Sequence, residues 1–198
     1  MPAVELLRGG CVVCRNRGPA LCSACLRRTE PPPSTRMRDL GRVHALFAYE
    51  GHGARIVQAL KYRDGRRLVA PLADELARRW AEVAPAAPGL AVTWVPTSGR
   101  RRRDRGFDQS ELLAQALARR LGATARPLLR RRPGPAQTGL DRAGREAAAG
   151  YRATARTGGP VLLLDDVCTT GSTLRAASSA LAGAGSPPIG HLVLARTP

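Results

Sequence analysis

Val161-Leu-Leu-Leu-Asp-Asp-Val-Cys-Thr-Thr-Gly-Ser-Thr-Leu174 is the stretch on which the reading of this chain turns. A run of four apolar residues has the length of a buried strand and is too short for a core helix. It meets two carboxylates, Asp165 and Asp166, at its end, passes small hydroxyl residues around Gly171, and leads into a helix expected over 172–182. Each part suits an anionic ligand. Backbone amides near a helix N-terminus attract phosphate. Gly171 lets the backbone approach closely or take a positive φ, and Thr169, Thr170 and Thr173 offer hydroxyl donors. Two adjacent carboxylates suit sugar hydroxyls or a hydrated Mg²⁺, which takes one or two carboxylates plus ligand oxygens. Helix capping accounts for any one of these residues but not for the whole string.

Outward from this stretch, short apolar strands alternate with helical segments. Strands are expected over 43–49, 91–95, 126–129 and 189–195, and helices over 54–62, 71–83 and 110–121, the second opening on Pro71 in its first turn. The segment 133–157, rich in Gly, Arg and Ala, reads as loop with some helix near 141–149. Strands alternating with helices predict an α/β fold around a parallel sheet, with ligands outside the carboxyl ends of its strands. A second loop falls there. Val95-Pro-Thr-Ser-Gly-Arg-Arg-Arg-Arg-Asp-Arg-Gly-Phe-Asp-Gln109 carries Arg100, Arg101, Arg102, Arg103 and Arg105, and guanidinium forks bind phosphate oxygens bidentately. Such a loop serves a diphosphate or a nucleic-acid backbone equally well, and a solvated charge run is the plain alternative. No GxxxxGK[ST] loop occurs, and Lys61 is the one lysine.

Four cysteines stand as Cys11-x2-Cys14-x7-Cys22-x2-Cys25, with Gly10, Gly18 and Pro19 at the turns. Two Cys-x-x-Cys pairs can place four thiolates around Zn²⁺, and a site closed by four cysteines is structural rather than catalytic. Cys168 reads as a small packing residue. Pro31-Pro32-Pro33-Ser34 reads as a stiff linker, so the core is expected to fold without the metal. The organisation predicted is a knuckle at 1–30, a linker at 31–40 and one domain at 41–198.

The formal charge is +17, from 32 basic and 15 acidic residues, which favours polyanionic ligands without naming one. No apolar run approaches the length of a membrane span, and no export signal precedes Cys11, so a cytoplasmic protein without membrane insertion is expected. His44, His52 and His191 lack the spacing of a triad or metal site. Aromatic residues are 4%, too few to favour a base-stacking surface, and Trp94 reads as core.

The Asp165–Thr173 string resembles the phosphoribosyl-diphosphate signature of type I phosphoribosyltransferases. The resemblance implies that Asp165 and Asp166 hold the ribose hydroxyls and that Thr169, Thr170, Gly171, Ser172 and Thr173 hold the 5′-phosphate. Across nearly the whole chain the order of motifs is similar to the ComF (competence protein F) family: a cysteine knuckle, Leu60-Lys61-Tyr62, Val95-Pro96-Thr97-Ser98, Arg105-Gly106-Phe107-Asp108-Gln109 and Asp165 to Gly171, with Gln137-Thr138-Gly139-Leu140 and Arg145 matching more loosely. Asp108 departs from the asparagine usual there, and 146–148 lacks an expected asparagine. The resemblance implies a type I phosphoribosyltransferase fold with a zinc knuckle, Mg²⁺ with phosphoribosyl diphosphate, and links to DNA uptake through single-stranded DNA and a competence helicase. Lys61 joins the arginines as a diphosphate or DNA contact. Two readings stay open at this point: a transferase acting on a nucleobase-like acceptor, and a non-catalytic protein that handles single-stranded DNA.

Overall fold

Alternating apolar positions in the long strands point to opposite faces, and each face needs its own cover. The computed structural model, which describes residues 10–30, 32, 36–62, 65–84, 87–99, 103–104, 106–132 and 150–198, meets this need with helices on both sides of one sheet. The strands are β1 (Arg36–Met37), β2 (Gly41–Ala48), β3 (Ala91–Trp94), β4 (Thr124–Ala125), β7 (Val161–Cys168) and β8 (Pro188–Arg196), ordered β1-β2-β8-β7-β3-β4. Every pairing is parallel except that of β1 with β2. A separate antiparallel pair joins β5 (Leu129–Arg131) to β6 (Tyr151–Ala153). The chain is therefore an α/β protein with a mostly parallel sheet.

Leu162 and Leu164 face one cluster, with Phe47, Val92, Leu192 and Leu194, under helices α2 (Gly51–Leu60), α3 (Arg66–Val83) and α4 (Gln109–Arg120). Val161 and Leu163 face the other, with Val43, Ala45 and Val193, under α5 (Ser172–Gly183). The chain leaves β3 outward to β4 and leaves β7 in the opposite direction to β8, so the carboxyl ends of the adjacent strands β3 and β7 flank a topological switch point.

The N-terminal unit packs into this body. Cys11, Leu21 and Cys25 are buried in the same cluster as Phe47 and Ile56, and the Ala48 amide donates to the Glu30 carbonyl at 2.7 Å. Within the expected linker, Arg36–Met37 form the edge strand β1, and Leu40 in the turn after it is buried in the second cluster. Pro31, Pro33 and Ser34 lie outside the described residues.

Four local expectations are corrected. The helix expected from Pro71 begins at Arg66, and Pro71 sits inside it, on a turn whose side chains Leu68 and Leu72 are fully buried. Of the strand expected over 126–129 only Leu129 is in a strand, as the first residue of β5, and β4 ends before it at Ala125; Pro127 between them has no amide for a ladder. The strand β6 was not anticipated. Finally, β7 does not stop at Leu164: pairing with β8 continues through Asp165 and Val167 to Cys168, which carries both acids into the strand. The expected helix at 141–149 lies outside the described residues. Among the described residues no helix is long and apolar enough to cross a membrane.

Candidate ligand site at the carboxyl edge of the sheet

At the switch point a cavity of about 260 Å³ opens between the two strand ends, with Asp165, Asp166, Thr173, Lys61, Gln109 and Thr97 among its walls. Asp165 is 7% exposed, and its side chain accepts the Asp166 amide at 2.8 Å. Burial, and then the neighbouring Asp166 charge, push the Asp165 carboxyl well above the usual carboxylate range. Asp166 is half-buried and pairs with the cavity's lysine. Its Oδ2 lies 3.2 Å from Lys61 Nζ and accepts a hydrogen bond from Gln109 Nε2 at 3.1 Å. The Gln109 Oε1 is buried with no hydrogen-bond partner among the described residues.

Beside the acids, Thr169 and Thr170 form an exposed turn, and Gly171 takes φ 75° as the N-cap of α5. Both reasons for glycine hold at this position. Its φ is left-handed, and a Cβ would come within 2.7 Å of Met37 Cε and 3.2 Å of Leu40 Cδ1. Thr170 Oγ1 donates to Ser172 Oγ at 3.1 Å, while Arg175 Nη2 donates to the Thr170 carbonyl at 2.7 Å and brings a positive charge to the turn. Thr173 reaches the cavity wall. Cys168 is a packing residue, as expected: it is buried, and its Sγ donates to Met37 Sδ at 3.6 Å.

Met37 thus props the turn from the edge strand. Met37→Ala is expected to destabilise the fold by about 1–2 kcal/mol, since it leaves space beside Gly171 and Cys168. Affinity for inorganic phosphate should fall several-fold, and Met37→Leu should restore it. Phosphate titrations of the three proteins check this, and unchanged affinity in the alanine variant would show that the turn stands without its prop.

The second loop is pinned by Asp108. Asp108 caps α4, accepting the Ser110 and Glu111 amides at 3.0 and 3.3 Å on Oδ1 and the Thr97 amide at 2.9 Å on Oδ2. An asparagine could cap α4 through its single amide oxygen, but its NH₂ could not also accept the Thr97 amide, so the carboxylate ties the loop at both oxygens. Phe107 is half-buried beneath the Arg66 guanidinium, 5.3 Å from its ring centroid, so it anchors the loop to the start of α3 rather than to the core. Arg103 is exposed and does not line the cavity. Arg100, Arg101, Arg102 and Arg105 lie outside the described residues, as do the motifs at 137–140 and Arg145.

The structure therefore brings together Asp165, Asp166, Lys61 and Thr173, and sets Thr169, Thr170, Gly171 and Ser172 on the adjoining turn. Sequence reasoning left out Gln109, although it closes the motif that begins at Arg105. It also passed over Arg131 and Tyr151, which line the same cavity from β5 and β6.

The four cysteines converge on a second centre. The sulfurs of Cys11, Cys14, Cys22 and Cys25 all lie within 4.8 Å of one another, and Cys14 and Cys22 are 3.8 Å apart. A tetrahedral ion with Zn–S bonds of about 2.3 Å needs sulfur separations of about 3.8 Å, so the cluster fits one such ion. Cys22 caps α1 (Ser23–Arg27), its Sγ accepting the Cys25 amide at 3.4 Å. Burial raises the Cys11 thiol, but the amides of Cys14, Cys22 and Val13 outweigh it and bring the group down to about 6. Burial, with the thiols of Cys22, Cys14 and Cys11, pushes Cys25 up to about 12.

No protein-family model matches the chain, and no curated protein does. Among solved structures it is similar to the allosteric regulatory enzyme of purine biosynthesis, at 21% identity over 69% of this chain with a TM-score of 0.46. The match spans 30% of that enzyme's chain. It is also similar to adenine phosphoribosyltransferase from Leishmania donovani, at 12% identity over 88% of this chain and 78% of that one, with a TM-score of 0.38.

Proposed function

We propose that this chain binds phosphoribosyl diphosphate and belongs to the phosphoribosyltransferase type, in the manner of the ComF family, with a structural zinc ion in its cysteine knuckle. The observation that carries this reading is a switch-point cavity lined by the buried Asp165, the half-buried Asp166, Lys61 and Thr173, beside a hydroxyl-bearing turn closed by a left-handed glycine. A sugar phosphate needs these groups: acceptors for its ring hydroxyls, donors and a helix N-terminus for its phosphate, and cations for its diphosphate.

Asp165 and Asp166 hold the ribose hydroxyls in this reading, and the unpartnered Gln109 Oε1 accepts from one of them. The amides and hydroxyls of Thr169, Thr170, Gly171, Ser172 and Thr173 hold the 5′-phosphate. Lys61, paired with Asp166 at the cavity wall, contacts the diphosphate in this reading. Arg100, Arg101, Arg102, Arg103 and Arg105 supply further positive charge from the second loop. In transfer, a lone pair of the acceptor forms a bond to the anomeric carbon as the C1–O bond to diphosphate breaks, and diphosphate leaves with that electron pair. Cations positioned where this charge develops lower the barrier. The carboxylate donor set also fits Mg²⁺, which Asp165 and Asp166 would hold together with ligand oxygens, and which would neutralise diphosphate charge.

Calorimetry tests the proposal. Phosphoribosyl diphosphate should bind with one site per chain and bind more tightly with Mg²⁺ present. Lack of binding under both conditions would overturn it. Diphosphate release across a panel of acceptors then separates an enzyme from a ligand-sensing protein.

A further inference from the structure

Among the described residues two cations line the switch-point cavity, and they stand differently. Lys61 is paired with Asp166 at 3.2 Å. Arg131 has no carboxylate or hydrogen-bond partner among the described residues, and its guanidinium lies 6.0 Å from the Tyr151 ring centroid. The formal charges of the wall balance, Lys61 and Arg131 against Asp165 and Asp166, so pairing rather than the sum singles out Arg131. Its direction follows from the register of β5 with β6. Arg131 stands opposite Tyr151, and one step along the Arg132 amide donates to the Gly150 carbonyl at 2.8 Å. The Arg131–Tyr151 pair is therefore a non-hydrogen-bonded one, where facing side chains lie closest. Both leave on the face that carries Leu129, which is buried with Tyr151 in the second core cluster. Arg130 and Arg152, opposite one another at the next pair, are exposed and leave on the other face.

We infer that Arg131 is a ligand-binding residue whose guanidinium takes a phosphoryl group of the molecule in this cavity, with Tyr151 as the residue that positions it. The inference rests on the reading of the cavity as the phosphoribosyl-diphosphate site. Lys61 must give up Asp166 before it meets a phosphate, whereas Arg131 has only a ring face to leave. Contact with a ring face orients the guanidinium and leaves its five N–H donors unused. Such a fork matches two phosphate oxygens at once and keeps its charge at any relevant pH. The ligand carries phosphoryl groups at two places, the 5′-phosphate and the diphosphate, and the chemistry of the contact is the same at either.

Calorimetry on the full chain with Mg²⁺ tests this with three probes: phosphoribosyl diphosphate, ribose 5-phosphate and inorganic diphosphate. Arg131→Gln should weaken phosphoribosyl diphosphate about ten- to hundredfold, the range of one lost hydrogen-bonded contact between charged groups. Arg131→Lys should recover part of that loss, because it keeps the charge without the fork. A loss shared by ribose 5-phosphate places Arg131 on the 5′-phosphate, and a loss shared by inorganic diphosphate places it on the leaving group. Arg130→Gln removes the same charge from the other face and should leave all three affinities unchanged. Both arginines are exposed, so neither change endangers the fold. Unchanged affinity for phosphoribosyl diphosphate in Arg131→Gln, or an equal loss in Arg130→Gln, would overturn the inference. The wild-type titration distinguishes the two ideas. If phosphoribosyl diphosphate binds the wild type and Arg131→Gln equally well, only this inference fails; if it does not bind the wild type, both do.

Discussion

Replacing Asp165 and Asp166 together by asparagine is expected to weaken binding of phosphoribosyl diphosphate with Mg²⁺ by roughly a hundredfold or more, while leaving the apo protein at least as stable as before. Hydrogen bonds to charged groups contribute about 1.5–3 kcal/mol each, and two of them lost together correspond to a hundredfold or more. The stability half of the expectation follows from where Asp165 sits. Burial, followed by the Asp166 charge, raises its carboxyl well above the usual range, so ionising it costs the folded state more than the unfolded one. For an acid raised on folding, this cost is absent below its unfolded pKa and grows as pH rises above it. Asp165→Asn removes the cost and keeps an oxygen to accept the Asp166 amide. Its melting temperature should therefore exceed that of the wild type near neutral pH, by roughly 2–4 °C for each kcal/mol gained in a domain of this size, and the difference should vanish in acid. Thermal melts from pH 4 to 8 check this. A variant that binds normally would refute the ligand assignment, and one less stable at neutral pH would refute the account of a site held at a cost in stability.

The legible part of this fold was what short-range pattern controls. Val161–Leu164 could only be a buried strand, and the acids, Gly171 and the following helix carried their placement with them. The two halves of the cavity were each visible because each sits on one loop at one strand end. What was not visible depended on distant partners. Whether β7 ends at Leu164 or runs to Cys168 is decided by β8, through the pairings of Asp165 with Val193 and Val167 with Ala195. The role of Gln109 depends on Asp166, 57 positions along the chain. Arg131 reads as one more charge in a chain with 32 basic residues, until its pairing with Tyr151 of β6 brings it to the cavity. The prolines at 31–33 suggested a spacer, and they carry no information that Met37 would pack on Gly171.

That last point changes what metal removal should do. Purified protein should hold about one zinc per chain, and Cys11→Ser with Cys22→Ser should lose it. With the knuckle an independent appendage, the rest of the molecule would melt unchanged. The structure instead buries Cys11, Leu21 and Cys25 in the main core beside Phe47 and Ile56, and the chain leaving the knuckle continues through Glu30 to the edge strand that supports Gly171. Metal loss should then unseat core side chains and cost on the order of 3–5 kcal/mol, the range reached when a metal or a packed core cluster is lost. That corresponds to roughly 10 °C in melting temperature for a chain of this length, with phosphate affinity falling in parallel as the Met37 prop loosens. Zinc affinity should also climb with pH. Cys11, lowered to about 6, is already a thiolate at neutral pH, whereas Cys25, raised to about 12, must give up its proton to the solvent when the metal binds. Each proton released on binding makes the affinity rise about tenfold per pH unit, so competition against a chelator from pH 6 to 8 should show at least that slope. A zinc-free double-serine variant with the wild-type melting temperature and phosphate affinity would mean that the knuckle contributes nothing to the core it packs against.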